Sequence, residues 1–189
     1  MAEYLDLRAP DGSVTGEVKE RSLVHLEGDP HGTAHVWIVR MEADGPALLL
    51  QKRSRTKDAY PGCWDVSSAG HLPAGSDFLE SALRELAEEL GVEARPEELE
   101  FIGFRHKIAR EFFHGRPFID DEYAAVYLTW KAVRPEKLRL QAEEVEAVRF
   151  FPLHEIFDRF DAPDFSHCLY RDELEMVAAA CEAHKRSTP

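Results

Sequence analysis

The stretch AGHLPAGSDFLESALRELAEELGV, residues 69–92, constrains the fold more than any other part of the chain. Its periodicity predicts a helix over residues 77–91. With Arg84 set at 0° and about 100° per residue, Glu88 falls at about 40°, Glu85 at about 100° and Glu89 at about 140°. Leu79, Ala82, Leu83, Leu86 and Leu90 occupy the arc from about 160° to about 260°. One stripe therefore faces a core, and three carboxylates share the stripe beside it. Asp77 followed by Glu80 has the form of a capping box, and Gly91 is placed to stop the helix. Glu85 and Glu89 are like charges four residues apart, which costs a few tenths of a kcal/mol, and only the Arg84–Glu88 pair offsets it. A hard divalent cation reverses that repulsion: Mg²⁺ takes carboxylate oxygens together with substrate phosphates.

The rest of the chain supplies the layer that this helix needs. Residues 3–7 and 14–19 are expected as short strands around the turn APDGS. TAHVWIVRM (33–41) and PALLLQKRS (46–54), separated by EADG, form a hairpin signal. EFIGFRHKIAREFF (100–113) and EYAAVYLTWKAV (122–133) are expected as long strands, with HGRPFID (114–120) as the loop between them. VEAVRFFP (145–152) is a further strand, leading at Pro152 into a short helix near 153–159. SHCLYRDELEMVAAACEAHKR (166–186) is a terminal helix with Ser166 as its N-cap. Strands and helices mixed without strict alternation predict an α/β fold, a mixed sheet covered by helices. A chain of 189 residues suits one such domain.

Apolar residues make up 44% of the chain and charged residues 31%, as in a globular protein. The formal net charge of −13, with no basic run, argues against a nucleic-acid partner, because such binding needs basic surface to displace counterions. A small anionic substrate is compatible with it only if metal ions neutralise the site. No apolar run reaches the roughly 20 residues that span a bilayer, and MAEYLDLRAPDG lacks the basic start and apolar stretch of a secretory signal. Cys63, Cys168 and Cys181 are odd in number and lack metal-ligand spacing, so reduced thiols and a cytoplasmic location are expected.

Gly70, Arg84, Glu85, Leu86, Glu88, Glu89, Gly91 and Val92 together resemble the Nudix box, a glycine followed at fixed distance by R-E-(apolar)-x-E-E-x-G-(apolar). The resemblance implies a Nudix α/β/α sandwich with a mixed β-sheet. It implies a single Nudix domain over residues 1–189, with a core at about 30–165, an N-terminal β extension and a C-terminal helix. It further implies Mg²⁺ (or Mn²⁺) held by Glu85, Glu88 and Glu89 with the Gly70 carbonyl. Arg84 would orient the carboxylates, and Glu88 or Glu89 would serve as general base. Ser76 stands where the box has a glutamate, with Asp77 next to it as a substitute. That departure bears on the rate more than on the chemistry.

VHLEGDPHGTAHVWIV and LLLQKRSRTKDAYPGCWDVSSAGH resemble the Nudix branch related to type I isopentenyl diphosphate isomerase. That resemblance implies a second metal site of histidines and carboxylates, matched by His25, His31, His71 and Glu122, with Asp120 beside them and His35 as a rival. Neutral imidazole with carboxylate oxygen suits a transition metal ion better than Mg²⁺. The isomerase has a cysteine for proton transfer at carbon where this chain has Ala69. The nearest cysteine, Cys63, lies in PGCW, so hydrolysis is favoured over isomerisation. Lys52, Arg53 and Lys57, with Arg55 alongside, are candidate phosphate contacts. Trp37, Tyr60, Phe113 and Tyr123 are candidates for a substrate pocket or the core, and Glu143 and Glu144 for the site's edge or a solvated turn. The expected activity is Mg²⁺-dependent hydrolysis of a diphosphate linked to a nucleoside, a sugar or a prenyl group. An isomerase-like enzyme and a non-catalytic ligand sensor are the alternatives. The expected partner is a small-molecule diphosphate, with neither nucleic acid nor membrane, and a homodimer is left open.

Overall fold

The architecture is organised by one long strand. The computed structural model describes residues 2–187. In chain order the elements are β1 (Tyr4–Arg8), β2 (Val14–Glu20), α1 (Arg21–Glu27), β3 (His31–Glu42), β4 (Gly45–Arg53), β5 (Trp64–Asp65) and β6 (Ser68–His71). Then follow α2 (Phe78–Leu90), β7 (Glu100–Phe113), β8 (Arg116–Thr129), β9 (Val145–Pro152), α3 (Leu153–Asp158) and α4 (Arg171–Ser187). The first part of β3 pairs antiparallel with β6 and parallel with β8, whose other edge carries β7. Its last part forms the β3–β4 hairpin, and β4 continues the sheet to β5 and β9. The result is a nine-stranded mixed sheet.

Side chains alternate along β3, so its apolar run serves two cores. Ala34, Val36 and Ile38 face α2, where they meet Ala82, Leu86 and Leu90. Trp37 and Val39 face the other way, towards Ile156 of α3 and Leu174, Val177 and Cys181 of α4. On β8 the same division sends Ala125 and Tyr127 to one face and Val126 and Leu128 to the other. Helices thus cover both faces, and the α/β/α sandwich is the observed arrangement. Asp77 caps α2 by accepting from the Glu80 N–H at 2.8 Å, and Gly91 ends it at φ 66°. No described helix is long and apolar enough to cross a membrane.

Several boundaries differ from the sequence reading. Residues 116–120 are not loop: they pair with residues 109–113, extending the β7–β8 hairpin to a two-residue turn. That turn is His114–Gly115, both at positive φ as a tight hairpin turn requires. β8 ends at Thr129, short of residue 133. The terminal helix starts at Arg171, because Ser166 and Cys168 instead bond to the backbone of Trp64 as extended chain. Ser166 is therefore no N-cap. Helix α1 was not anticipated. It is seven residues long and closed by Gly28 at φ 77°, too short for periodicity to reveal.

Candidate active site

The packing of α2 on β6 makes the first part of the site. A Cβ on Gly70 would lie 2.1 Å from the Glu85 carboxyl carbon, so only glycine lets the β6 backbone approach this carboxylate. Arg84 donates from Nη2 to Glu85 at 2.6 Å and to the His71 carbonyl at 3.2 Å, and its Nε lies 3.9 Å from Glu88. Glu89 turns inward, accepting from Gln51 Nε2 and from the Ala69 N–H, each at 3.2 Å. Burial pushes its carboxyl up to about 8, and burial raises Glu85 as well, against the pull of Arg84. Glu88 is exposed. The three carboxylates, Gly70, Lys57 and Glu144 line one cleft of about 310 Å³, in which Lys57 is paired with Glu144. Carboxylates crowd this cleft, which a divalent cation would neutralise.

The second part is assembled from four elements. His25 comes from α1, His31 from the start of β3, His71 from the end of β6 and Asp120 from β8, with one donor atom of each within 4.8 Å of the others. His31 Nδ1 contacts the Asp29 carbonyl at 3.0 Å, which turns Nε2 towards Asp120 at 3.3 Å. His25 and His71 face each other through Nε2 at 3.0 Å. Burial, reinforced by neighbouring cationic groups, pushes His25 down to about 4 and His71 well below the usual range, so both rings are neutral and keep a lone pair. His25 Nδ1, His31 Nε2 and Asp120 Oδ1 are buried without a hydrogen-bond partner. Buried polar atoms left without a hydrogen bond are costly unless a cation joins them, and the Asp120 carboxylate raises the neighbouring His31 ring against its burial. This donor set fits a transition metal ion.

Behind it lies a buried polar network in which Glu122 is engaged. Glu122 pairs with Arg105 and accepts from Thr33 at 3.3 Å. Arg105 Nε donates to Glu173 at 2.8 Å, and Glu173 also accepts from Trp37 Nε1 at 2.8 Å and contacts His35 Nδ1 at 3.0 Å. Burial alone would lower His35, but the Glu173 carboxylate raises it to about 9. His35 is thus neither solvent-facing nor part of the histidine group. Nothing in the sequence signals Arg105 or Glu173, which sit in a strand and a helix far from any motif.

A larger cleft of about 1110 Å³ adjoins both parts, and Lys57, Gly70 and His71 border it. Arg53 lines it, with its guanidinium on Asp65 and on the Ala59 carbonyl. Lys52 and Arg55 turn instead to Glu146, away from both clefts. Tyr60 and Phe113 meet edge to face at 5.0 Å in its wall, whereas Trp37 belongs to the core and Tyr123 bonds to the Pro10 carbonyl. Glu143 and Glu144 both border this cleft, as does Cys168. Cys63 lies outside it, against Ser166 at 3.2 Å.

The family model described as NUDIX domain matches residues 30–172. The chain is 41% identical over 157 residues to Nudix hydrolase 3 of Arabidopsis thaliana, a match covering 81% of this chain and 20% of that relative. It therefore spans about a fifth of that relative's length. It is 25% identical over 184 residues to the isopentenyl-diphosphate Delta-isomerase of Escherichia coli, covering 97% of this chain and 94% of that one. Among solved structures, DR0079 of Deinococcus radiodurans has the same fold, with a TM-score of 0.64 at 19% identity over 95% of this chain and 99% of the other.

Proposed function

We propose, because the chain belongs to the Nudix family, that it is a Mg²⁺-dependent hydrolase of a diphosphate linked to another group, and that the acidic cleft is where hydrolysis occurs. One observation carries this reading: Glu85, Glu88 and Glu89 converge with Gly70 on a single cleft beside Lys57. Those three carboxylates and the Gly70 carbonyl would hold Mg²⁺ (or Mn²⁺), which when bound makes a water nucleophilic and screens the phosphate charge. Arg84 fixes Glu85. Gln51 and the Ala69 N–H fix Glu89. Glu88, exposed at the cleft, or Glu89 would take the proton of the attacking water. Lys57 and Arg53 would meet phosphate oxygens. His25, His31, His71 and Asp120 would hold a second, transition-metal ion.

The larger cleft would receive the nucleoside, sugar or prenyl group attached to the diphosphate. A cytoplasmic location fits three free cysteines. The Escherichia coli relative favours an isomerase as second reading, but Ala69 offers only a methyl group, which transfers no proton. A ligand sensor has no need of three metal-binding carboxylates, and this chain keeps them all.

The test follows a solvent atom. Nucleotide, sugar and prenyl diphosphates, isopentenyl diphosphate among them, are offered with Mg²⁺ in water labelled with ¹⁸O, and in heavy water. Hydrolysis puts ¹⁸O on a released phosphate product and leaves carbon unlabelled. Deuterium on carbon at catalytic turnover would replace the hydrolase reading with the isomerase one.

A further inference from the structure

Glu122 is placed as a metal ligand should be, yet it is engaged elsewhere. It is the register partner of His31 across the parallel β3–β8 pair, and it lies two residues from Asp120, on the same face of the strand. It is 6% exposed. Its two oxygens differ from those of Asp120 in what they meet. Arg105 Nη2 binds Oε1, and the Thr33 hydroxyl donates to Oε2 at 3.3 Å. Asp120 Oδ1, by contrast, is buried without a partner and faces His31 and His25 at 3.3 and 3.6 Å.

Arg105 is itself held on several sides. Its Nε donates to Glu173 at 2.8 Å, and its guanidinium lies 4.2 Å from the centre of the Tyr170 ring. Glu173 is fixed in turn by Trp37 and His35. The chain Glu122–Arg105–Glu173–His35 alternates carboxylate and cation, all of it buried. Arg105 Nη1 is already buried without a hydrogen-bond partner, so drawing Glu122 towards an ion would leave a second nitrogen of the same guanidinium unpaired in the protein interior, which is unfavourable.

We infer that Arg105, anchored by Glu173 of the C-terminal helix, is a positioning residue that holds Glu122 out of the ion's ligand set, so that the histidine pocket closes on three imidazoles and the single carboxylate of Asp120. This rests on the reading of that pocket as an ion site. Its consequence is a four-ligand, nitrogen-rich set, which suits a tetrahedral ion over the oxygen-rich octahedral ones. A helix more than fifty residues beyond the last ligand then sets the ligand count.

Cobalt(II) reads coordination directly: four-coordinate Co²⁺ absorbs strongly in the visible, and five- or six-coordinate Co²⁺ weakly. The wild type should bind Co²⁺ with strong bands that are lost in His71→Ala. Glu122→Gln should keep the bands and bind within about threefold of wild type, since Glu122 is not a ligand. Arg105→Gln with Glu173→Gln removes one charge of each sign and frees Glu122. Its bands should weaken severalfold, and adding Glu122→Gln should restore them. A tenfold weaker Co²⁺ affinity or altered bands in Glu122→Gln alone would overturn the inference, as would unchanged bands in the Arg105/Glu173 double variant. No Co²⁺ bound by the wild type would overturn the ion pocket and the inference with it. Mg²⁺-dependent hydrolysis, assayed on the same samples, separates that failure from a failure of the acidic cleft.

Discussion

The acidic cleft and the histidine pocket meet at two consecutive residues of one short strand. Gly70 gives its face of β6 to Glu85 of α2, and His71 points its ring to the opposite face, among His25, His31 and Asp120. The first centre draws its carboxylates from a single helix, and the phase of that helix brings them together. The second draws four residues from four elements, and the sheet's strand order brings them together. A centre of the first kind depends on local geometry. A centre of the second kind depends on the whole fold. Each should respond to a different class of change.

The largest expected effects lie in the acidic cleft. Glu89→Gln and Glu88→Gln should each lower kcat by about 10²–10⁴ in a folded protein, the loss of a metal-bound carboxylate or a general base. Gly70→Ala belongs with them, because its methyl group would occupy the place of the Glu85 carboxyl. None of these variants should change the transition metal found by elemental analysis. Parallel loss of that metal would break the distinction between the centres. Equal activity in a glutamine variant would remove that residue's role.

The reciprocal experiment acts on the pocket. His25→Ala together with His71→Ala should strip bound transition metal while Mg²⁺-dependent hydrolysis persists. Wild-type protein with no transition metal above background, even after reconstitution, would leave the pocket without an ion to explain it.

This asymmetry also decides what was legible in the sequence. The α2 phase follows from residues 77–91 alone, so the carboxylates, their Arg84 partner and the buried leucines could be read directly. A mixed sheet covered by helices was legible in strands and helices mixed without strict alternation, whereas the α/β/α layering came only through resemblance to the family. His25, His31 and His71 could be named only through resemblance to a family, since no local period relates them. That Asp120 stands beside the histidines while Glu122 meets Arg105 follows from the register of β8 and from contacts across the sheet, which no local pattern carries. Helix α1 escaped notice for a related reason: RSLVHLE is too short for its period to stand out, although it delivers His25.

Glu89 of the one centre and His25 of the other should also leave opposite marks on the pH dependence of metal-free stability. Glu89 sits at about 8 when folded, above the ordinary carboxylate value of 4.5. Between those values the native state holds more protons than the unfolded one, so stability falls as pH rises and levels off above about 8. His25 sits at about 4 when folded, below its ordinary 6.5, so its contribution rises with pH across that window. His35, raised to about 9, adds a fall of the same sign as Glu89 above pH 6.5. The quantity to read is therefore the difference between wild type and Glu89→Gln. From pH 6.5 to 8 the melting temperature should fall more steeply in the wild type, and saturating Mg²⁺ should remove the difference. Identical slopes would mean that the buried carboxylate is not strained without a cation.

The smallest effect tests whether the acidic cleft depends on one helix start. Asp77 accepts the Glu80 N–H at 2.8 Å, which satisfies one of the free donors of the first turn. Removing that acceptor with Asp77→Ala should cost about 1 kcal/mol, a fall of about 2–4 °C in melting temperature for a domain of this size. Glu80→Gln should be nearly silent, because the backbone N–H of Glu80, not its side chain, makes the cap bond. A frayed first turn lies two turns before Glu85, so Asp77→Ala should weaken Mg²⁺ binding slightly and leave Co²⁺ in the histidine pocket untouched. If Co²⁺ affinity instead fell along with that of Mg²⁺, the two centres would share their supports through β6, and the contrast between a helix-built and a topology-built centre would fail.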